Sequence, residues 1–155
     1  MPKSPQQSLS ASVLIKSVYD KFLKIPEPRT FGREIRIPLI DHLMTGLAVF
    51  GLKFPSLLQY DRKREDPEIA TNLNNLYHIQ TPPSDTYLGE RLDEVDPSCL
   101  RPAFKQLFSK FQRSKKLEGF EFFDGHYLLP LDGTGGFSSG TISCPHCCKK
   151  EHKNG

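Results

Sequence analysis

The chain has 155 residues, 25% of them charged and 37% hydrophobic, with a formal net charge of +3. That length suffices for one ordinary domain or two small ones, burying roughly 68–70% of the unfolded surface. No run of about eighteen apolar residues occurs, and the N-terminal MPKSPQQSLSASVLIKS has no apolar core of signal-peptide length, which argues against a membrane span and against secretion. From the N-terminus, Leu14, Val18 and Phe22 recur at helical spacing within residues 9–24, with Ile15, Tyr19 and Leu23 widening the stripe. IPEPRT then breaks that helix. After Pro38, LIDHLMTGLAVFGLKF repeats Leu39, Leu43, Leu47 and Phe50 every three or four residues, the pattern of a buried helix. A short helical piece, PSLLQYD, follows, then the charged patch DRKREDPE and an amphipathic EIATNLNNLYHI.

In QTPPSDTYLGERLDEV, Pro82 and Pro83 enforce an extended turn, and Ser84 or Asp85 can cap a new helix with Leu88, Leu92 and Val95 inside. Helix, turn and helix with an apolar inner stripe suit either a helix-turn-helix unit or two ordinary packed helices. On the first reading Ser84, Asp85, Thr86, Tyr87 and Arg91 face a DNA groove, although Asp85, Glu90, Asp93 and Glu94 outnumber Arg91 there. The next helix carries Phe104, Leu107, Phe108 and Phe111 along one side, and Lys105, Lys110, Arg113, Lys115 and Lys116 over much of the rest. A basic stripe opposite an aromatic seam can track a phosphate backbone, or can simply be a solvated face.

From Phe120 the period changes. FEFFDGHYLLPLD places Asp124-Gly125 between two apolar runs, a hairpin signal, and FSSGTIS alternates as a further strand. YLLPL reads as buried on both faces, which puts Asp132 at the end of a central strand. A carboxylate there is tolerable if it faces a polar cleft or binds a cation. The glycines at 133, 135 and 136 would let a backbone or phosphate come close. DGTGG is equally a hairpin turn whose Asp bonds its own backbone. Cys99 stands alone, whereas Cys144, Cys147 and Cys148 are bunched just before His152, a spacing that fits a reduced, cytoplasmic protein better than a disulfide framework. Cys144, Cys147, Cys148 and His152 are candidate Zn²⁺ ligands, with reduced cysteines in a basic turn as the other reading. His42, His78 and His126 lie on separate segments and read as structural.

The stretch YLLPLDGTGGFSSGTISCPHCCKKEHKNG resembles the start of the catalytic domain of bacterial insertion-sequence transposases of the DDE type. DHLMTGLAVFGLKFPSLLQYD and NLNNLYHIQTPPSDTYLGERLDEVDP resemble that family's helical N-terminal region, so the likeness runs from about residue 30 onward. The resemblance implies an α+β chain. Residues 1–118 would be a helical DNA-binding region with a helix-turn-helix-like unit, and 119–155 the first antiparallel strands of a ribonuclease-H-like domain. It further implies that Asp132 is the first of three catalytic carboxylates, binding Mg²⁺ in two-metal cleavage and strand transfer. The implied partner is double-stranded DNA of the transposon terminal repeats, with a homo-oligomer or pairing with a full-length transposase as candidate assemblies. After Asp132 the sole acidic residue is Glu151, so a second Asp and final Glu are missing and this polypeptide alone is expected to be inactive. A non-catalytic DNA-binding module or repressor, and a small zinc-stabilised interaction protein, are the alternatives.

Overall fold

The computed structural model describes residues 9–29 and 36–128. Two compact units divide the chain, Met1–Gly119 and Phe120–Gly155. The described part of the first is helical: α1 (Ala11–Phe22), α2 (Leu39–Gly51), α3 (Leu57–Lys63), α4 (Pro67–Asn75), α5 (Asp85–Leu92), a 3₁₀ turn (Pro97–Leu100) and α6 (Arg101–Arg113). The chain is thus mostly helical with a small antiparallel β element, and among the described residues no helix is long and apolar enough to cross a membrane.

Most of these helices start where a short polar side chain precedes them. Ser10, Ser56, Asp66 and Ser84 each accept from a backbone N–H in the first turn of α1, α3, α4 and α5, satisfying a donor that has no partner within the helix. Pro38, which precedes α2, has no side-chain oxygen to offer. Glu27 fills that gap: its Oε2 accepts from Leu39 N at 2.9 Å. Arg29 braces Glu27 through two bonds of 2.6 and 2.7 Å and donates to the Ile37 carbonyl at 2.8 Å. The Arg29 pair holds the Glu27 carboxyl below the usual range.

α2 is the central element, burying Leu39, Leu43, Met44, Ala48 and Val49 together with the polar Asp41, His42 and Thr45. Around it pack α1 and α5, and α1 in turn packs on α6. Val18 and Phe22 of α1, Tyr60 of α3, Leu73 of α4, Leu88 of α5 and Ala103 of α6 complete the core. Gly46 marks the crossing of α2 with α5, where an added Cβ would come within 3.3 Å of Leu92 Cδ1. α2 ends in a Schellman motif: Lys53 N bonds the Phe50 carbonyl and Phe54 N the Val49 carbonyl, with Lys53 left-handed at φ 57°.

One expectation is corrected here, and two open points gain an observation. Phe50, assigned to the buried stripe of α2, is 83% exposed, because the stripe turns away before the last turn, where Val49 is the inward residue. Phe104 and Phe108 are 50% and 56% exposed, because α6 turns Ala103 and Leu107 inward instead. The connection between α4 and α5 runs over residues 76–84, longer than the three or four residues of a helix-turn-helix, and α5 packs on α2 and α3.

The second unit contributes a hairpin, β1 (Glu121–Phe123) with β2 (His126–Tyr127), pairing Glu121 with Tyr127 and Phe123 with His126. Asp124 and Gly125 both have positive φ, 44° and 75°, as a two-residue type I′ turn requires. Tyr127 and Leu128 are exposed, so the double-sided burial expected of YLLPL does not hold for its first two residues. The remaining strands, the ribonuclease-H-like sheet, and Asp132, Cys144, Cys147, Cys148 and His152 lie outside the described residues.

Candidate nucleic-acid interface

The sequence nominated two surfaces, and the fold uses them differently. At the start of α5, residues 80–85 are stitched down from below. Tyr60 Oη donates to the Pro83 carbonyl at 2.8 Å, Arg64 donates to the Pro82 carbonyl at 3.1 Å, and Asp61 Oδ1 accepts from Asp85 N at 3.2 Å. Asp41 Oδ2 accepts from Thr81 N at 2.8 Å. A diproline segment has no N–H to donate, so its carbonyls are the handles by which neighbours fix it. Burial pushes the Tyr60 hydroxyl up to about 12 and raises the Asp41 carboxyl against the pull of the Thr81 and Gln80 amides.

Beside these anchors, most of the candidate groove residues are half-buried and engaged within the fold. Ser84 caps α5 by accepting from Tyr87 N. Tyr87 lies with its ring edge-on to His42, centroids 4.9 Å apart, and its hydroxyl accepts from Arg29 at 3.0 Å. Arg91 sits over the Tyr87 ring at 5.4 Å and pairs with Glu94 at 3.1 Å. Thr86 is exposed, its hydroxyl bonded to Asp85. His42 is fully buried: Nδ1 meets the Pro38 carbonyl at 3.0 Å, Nε2 has no partner among the described residues, and burial, with Arg29 and Arg91 nearby, lowers its pKa.

The second surface is α6. Its sequence RPAFKQLFSKFQR contains no acid. Gln106 Nε2 donates to Ser17 Oγ at 2.9 Å and fixes the helix on α1. Beside that contact lies an open groove of about 460 Å³ lined by Lys21 of α1 and by Lys105, Lys110 and Arg113 of α6, with Pro102, Gln106 and Ser109 between them. None of those four cations forms an ion pair among the described residues. The nearest acid on α1, Asp20, is engaged by Lys16. Lys115 occupies a left-handed position just past α6, at φ 59°, and reaches Glu118 at 3.6 Å, while Lys116 is exposed. The structure therefore gathers Lys105, Lys110 and Arg113, adds Lys21, which spacing along the sequence does not single out, and leaves Lys115 and Lys116 off the helical face. Periodicity within one helix could not nominate Lys21, because it reaches the groove only through the α1–α6 packing.

Among the described residues no three His, Cys, Asp or Glu side chains group to hold a metal ion. Comparison with known proteins finds no matching family model, no matching curated protein and no matching solved structure.

Proposed function

We propose that this chain is the DNA-end-binding portion of a DDE-type transposase, gripping duplex phosphates through the α1–α6 groove. The observation that carries the reading is the cluster of Lys21, Lys105, Lys110 and Arg113 on an acid-free helix and its neighbour, unpaired among the described residues and open to solvent. Four cations on one face release condensed counterions on meeting a polyanion, which supplies affinity without sequence preference. The acidic start of α5, with its inward Tyr87 and Arg91, plays no part in this grip.

In the same reading Asp132 supplies the first metal-binding carboxylate of a ribonuclease-H-like site, and the Cys144, Cys147, Cys148 and His152 cluster is a candidate for zinc. A two-ion centre would supply an activated oxygen and a stabilised leaving group. The carboxylates from Asp132 onward in these 155 residues are Asp132 and Glu151, too few for that centre, so no cleavage step is assigned to them.

The test is a titration of duplex DNA carrying the element's terminal repeat, against a scrambled duplex, over a range of salt. The triple variant Lys105→Gln, Lys110→Gln, Arg113→Gln is expected to flatten the slope of log K against log salt by about 0.9 for each phosphate it no longer neutralises. An unchanged slope, with the helical fold intact by circular dichroism, refutes the groove as the binding surface.

A further inference from the structure

The structural feature that the basic groove leaves unexplained is a pair of aromatic rings on another face of the same helix. Phe104 and Phe108 stand half exposed on α6, four residues and therefore about 6 Å apart along the axis, on one face. Core packing does not require them there: Ala103 is buried against α1 and Leu107 packs on the core, so α6 is already anchored by its other side. Helical spacing makes Arg101 a neighbour of both Phe104 and Lys105, and Lys105 a neighbour of Phe108. The two rings thus share their face with Arg101 and Lys105, whereas Lys110 and Arg113, which line the groove, stand more than about 100° further round the helix.

We propose that this face of α6 binds single-stranded DNA, stacking unpaired bases on Phe104 and Phe108 while Arg101 and Lys105 hold the phosphates. The inference rests on the DNA-binding reading and adds which form of DNA the rings select. A duplex buries the faces of its bases in its own stack and offers only edges and backbone, so two protruding phenyl rings gain little from it. An unpaired strand exposes those faces. Stacking platforms flanked by positive charge are how sequence-tolerant single-strand binders work. A second copy of this chain is a poor occupant, because apposing two such faces would bring Arg101 and Lys105 against their own counterparts with no acid on either helix. A membrane surface is a poor one too, because the large exposed apolar side chains of α6 come down to two rings flanked by Arg101 and Lys105, while Ala103 and Leu107 are spent on the core.

The experiment measures fluorescence anisotropy of labelled oligo-dT of about 20 nucleotides, and of a duplex of equal length, with the full chain. Oligo-dT is expected to bind more tightly than the duplex. Phe104→Ala and Phe108→Ala should each weaken oligo-dT binding about five-fold or more, with duplex binding unmoved. Phe104→Tyr with Phe108→Tyr should restore it, because a phenol stacks as a phenyl does. Lys105→Gln should instead lower the salt slope on both DNAs by less than one unit. Duplex binding without oligo-dT binding overturns this inference and leaves the DNA-binding reading standing. Unchanged binding of both DNAs on removing both rings overturns the inference also. Binding of neither DNA refutes both, and binding only to anionic vesicles reassigns the face to lipid.

Discussion

Gly51, the last residue of α2, gives the sharpest test of the packing. A Cβ built there would lie 2.2 Å from Tyr77 Oη, 3.2 Å from Cζ and 3.5 Å from Cε1. The first distance is far inside contact, and Tyr77 is buried on a rigid ring that cannot swing aside without displacing the core. Overpacking of this kind costs about 1–3 kcal/mol. Against it stands the gain in helix propensity from glycine to alanine, at most about 1 kcal/mol and less at a helix end. Gly51→Ala should therefore destabilise the protein by about 1–2 kcal/mol. Tyr77→Phe removes the clashing oxygen and leaves the milder Cζ approach, so the double variant should recover at least about 1 kcal/mol relative to Gly51→Ala alone, a coupling that additive effects cannot produce. Urea denaturation followed by circular dichroism measures all four corners of the cycle. A Gly51→Ala protein as stable as the parent, or a coupling near zero, would refute the placement of Tyr77 over the end of α2.

Glu27→Gln should cost about 1.5–3 kcal/mol in urea denaturation, because it strips the charge from a half-buried pair and weakens the bond to Leu39 N; an effect under about 0.5 kcal/mol would contradict the clamp. Tyr60→Phe leaves the Pro83 carbonyl unpaired in the core and should cost about 1–3 kcal/mol with little change in m-value. The pH dependence follows from His42. Burial sets its folded pKa below the ordinary 6.5, so between those two values the unfolded chain takes up a proton that the folded chain refuses. Stability is full above about pH 6.5 and declines as the pH falls towards the folded value. His42→Gln should flatten that decline, whatever its effect at neutral pH; an unchanged slope would mean that another group carries the acid sensitivity. Asp41, whose pKa burial raises, acts with the opposite sign in the more acidic range, above its ordinary 3.8.

Helix positions were legible because periodicity is a local property. Val18 and Phe22, Leu39 and Leu43, and Leu88 all fall inside as their spacing predicts. The turn at Asp124-Gly125 was legible because two consecutive positive φ angles leave few residue choices. What the pattern could not reveal is which part of an apolar stripe meets a neighbour. Phe50, Phe104 and Phe108 occupy stripe positions by spacing, yet the neighbouring helices cover only part of each stripe. Buried polar groups were equally hidden. Asp41 reads as a first-turn acid on a helix and is in fact the acceptor for an amide forty residues away. The Tyr87–His42–Arg29 contacts likewise join segments whose proximity only the fold decides. Of the candidate site, Lys105, Lys110 and Arg113 were visible as charges without acidic company on their helix, whereas Lys21 needed the packing of α1 on α6.

Because α2 borrows the acceptor for its first amide from Glu27, the start of the central helix is not encoded within the helix itself. A fragment beginning at residue 36 would keep nearly all the apolar side chains of α2 to α6 and still lack the group that tells α2 where to begin. Dissection of this protein into pieces should accordingly fail at that junction: the shortened chain would fray from Leu39 inward and carry the buried Asp41–Thr81 link with it. Supplying the segment around Glu27 and Arg29 in trans, as a peptide, would be the way to mend it.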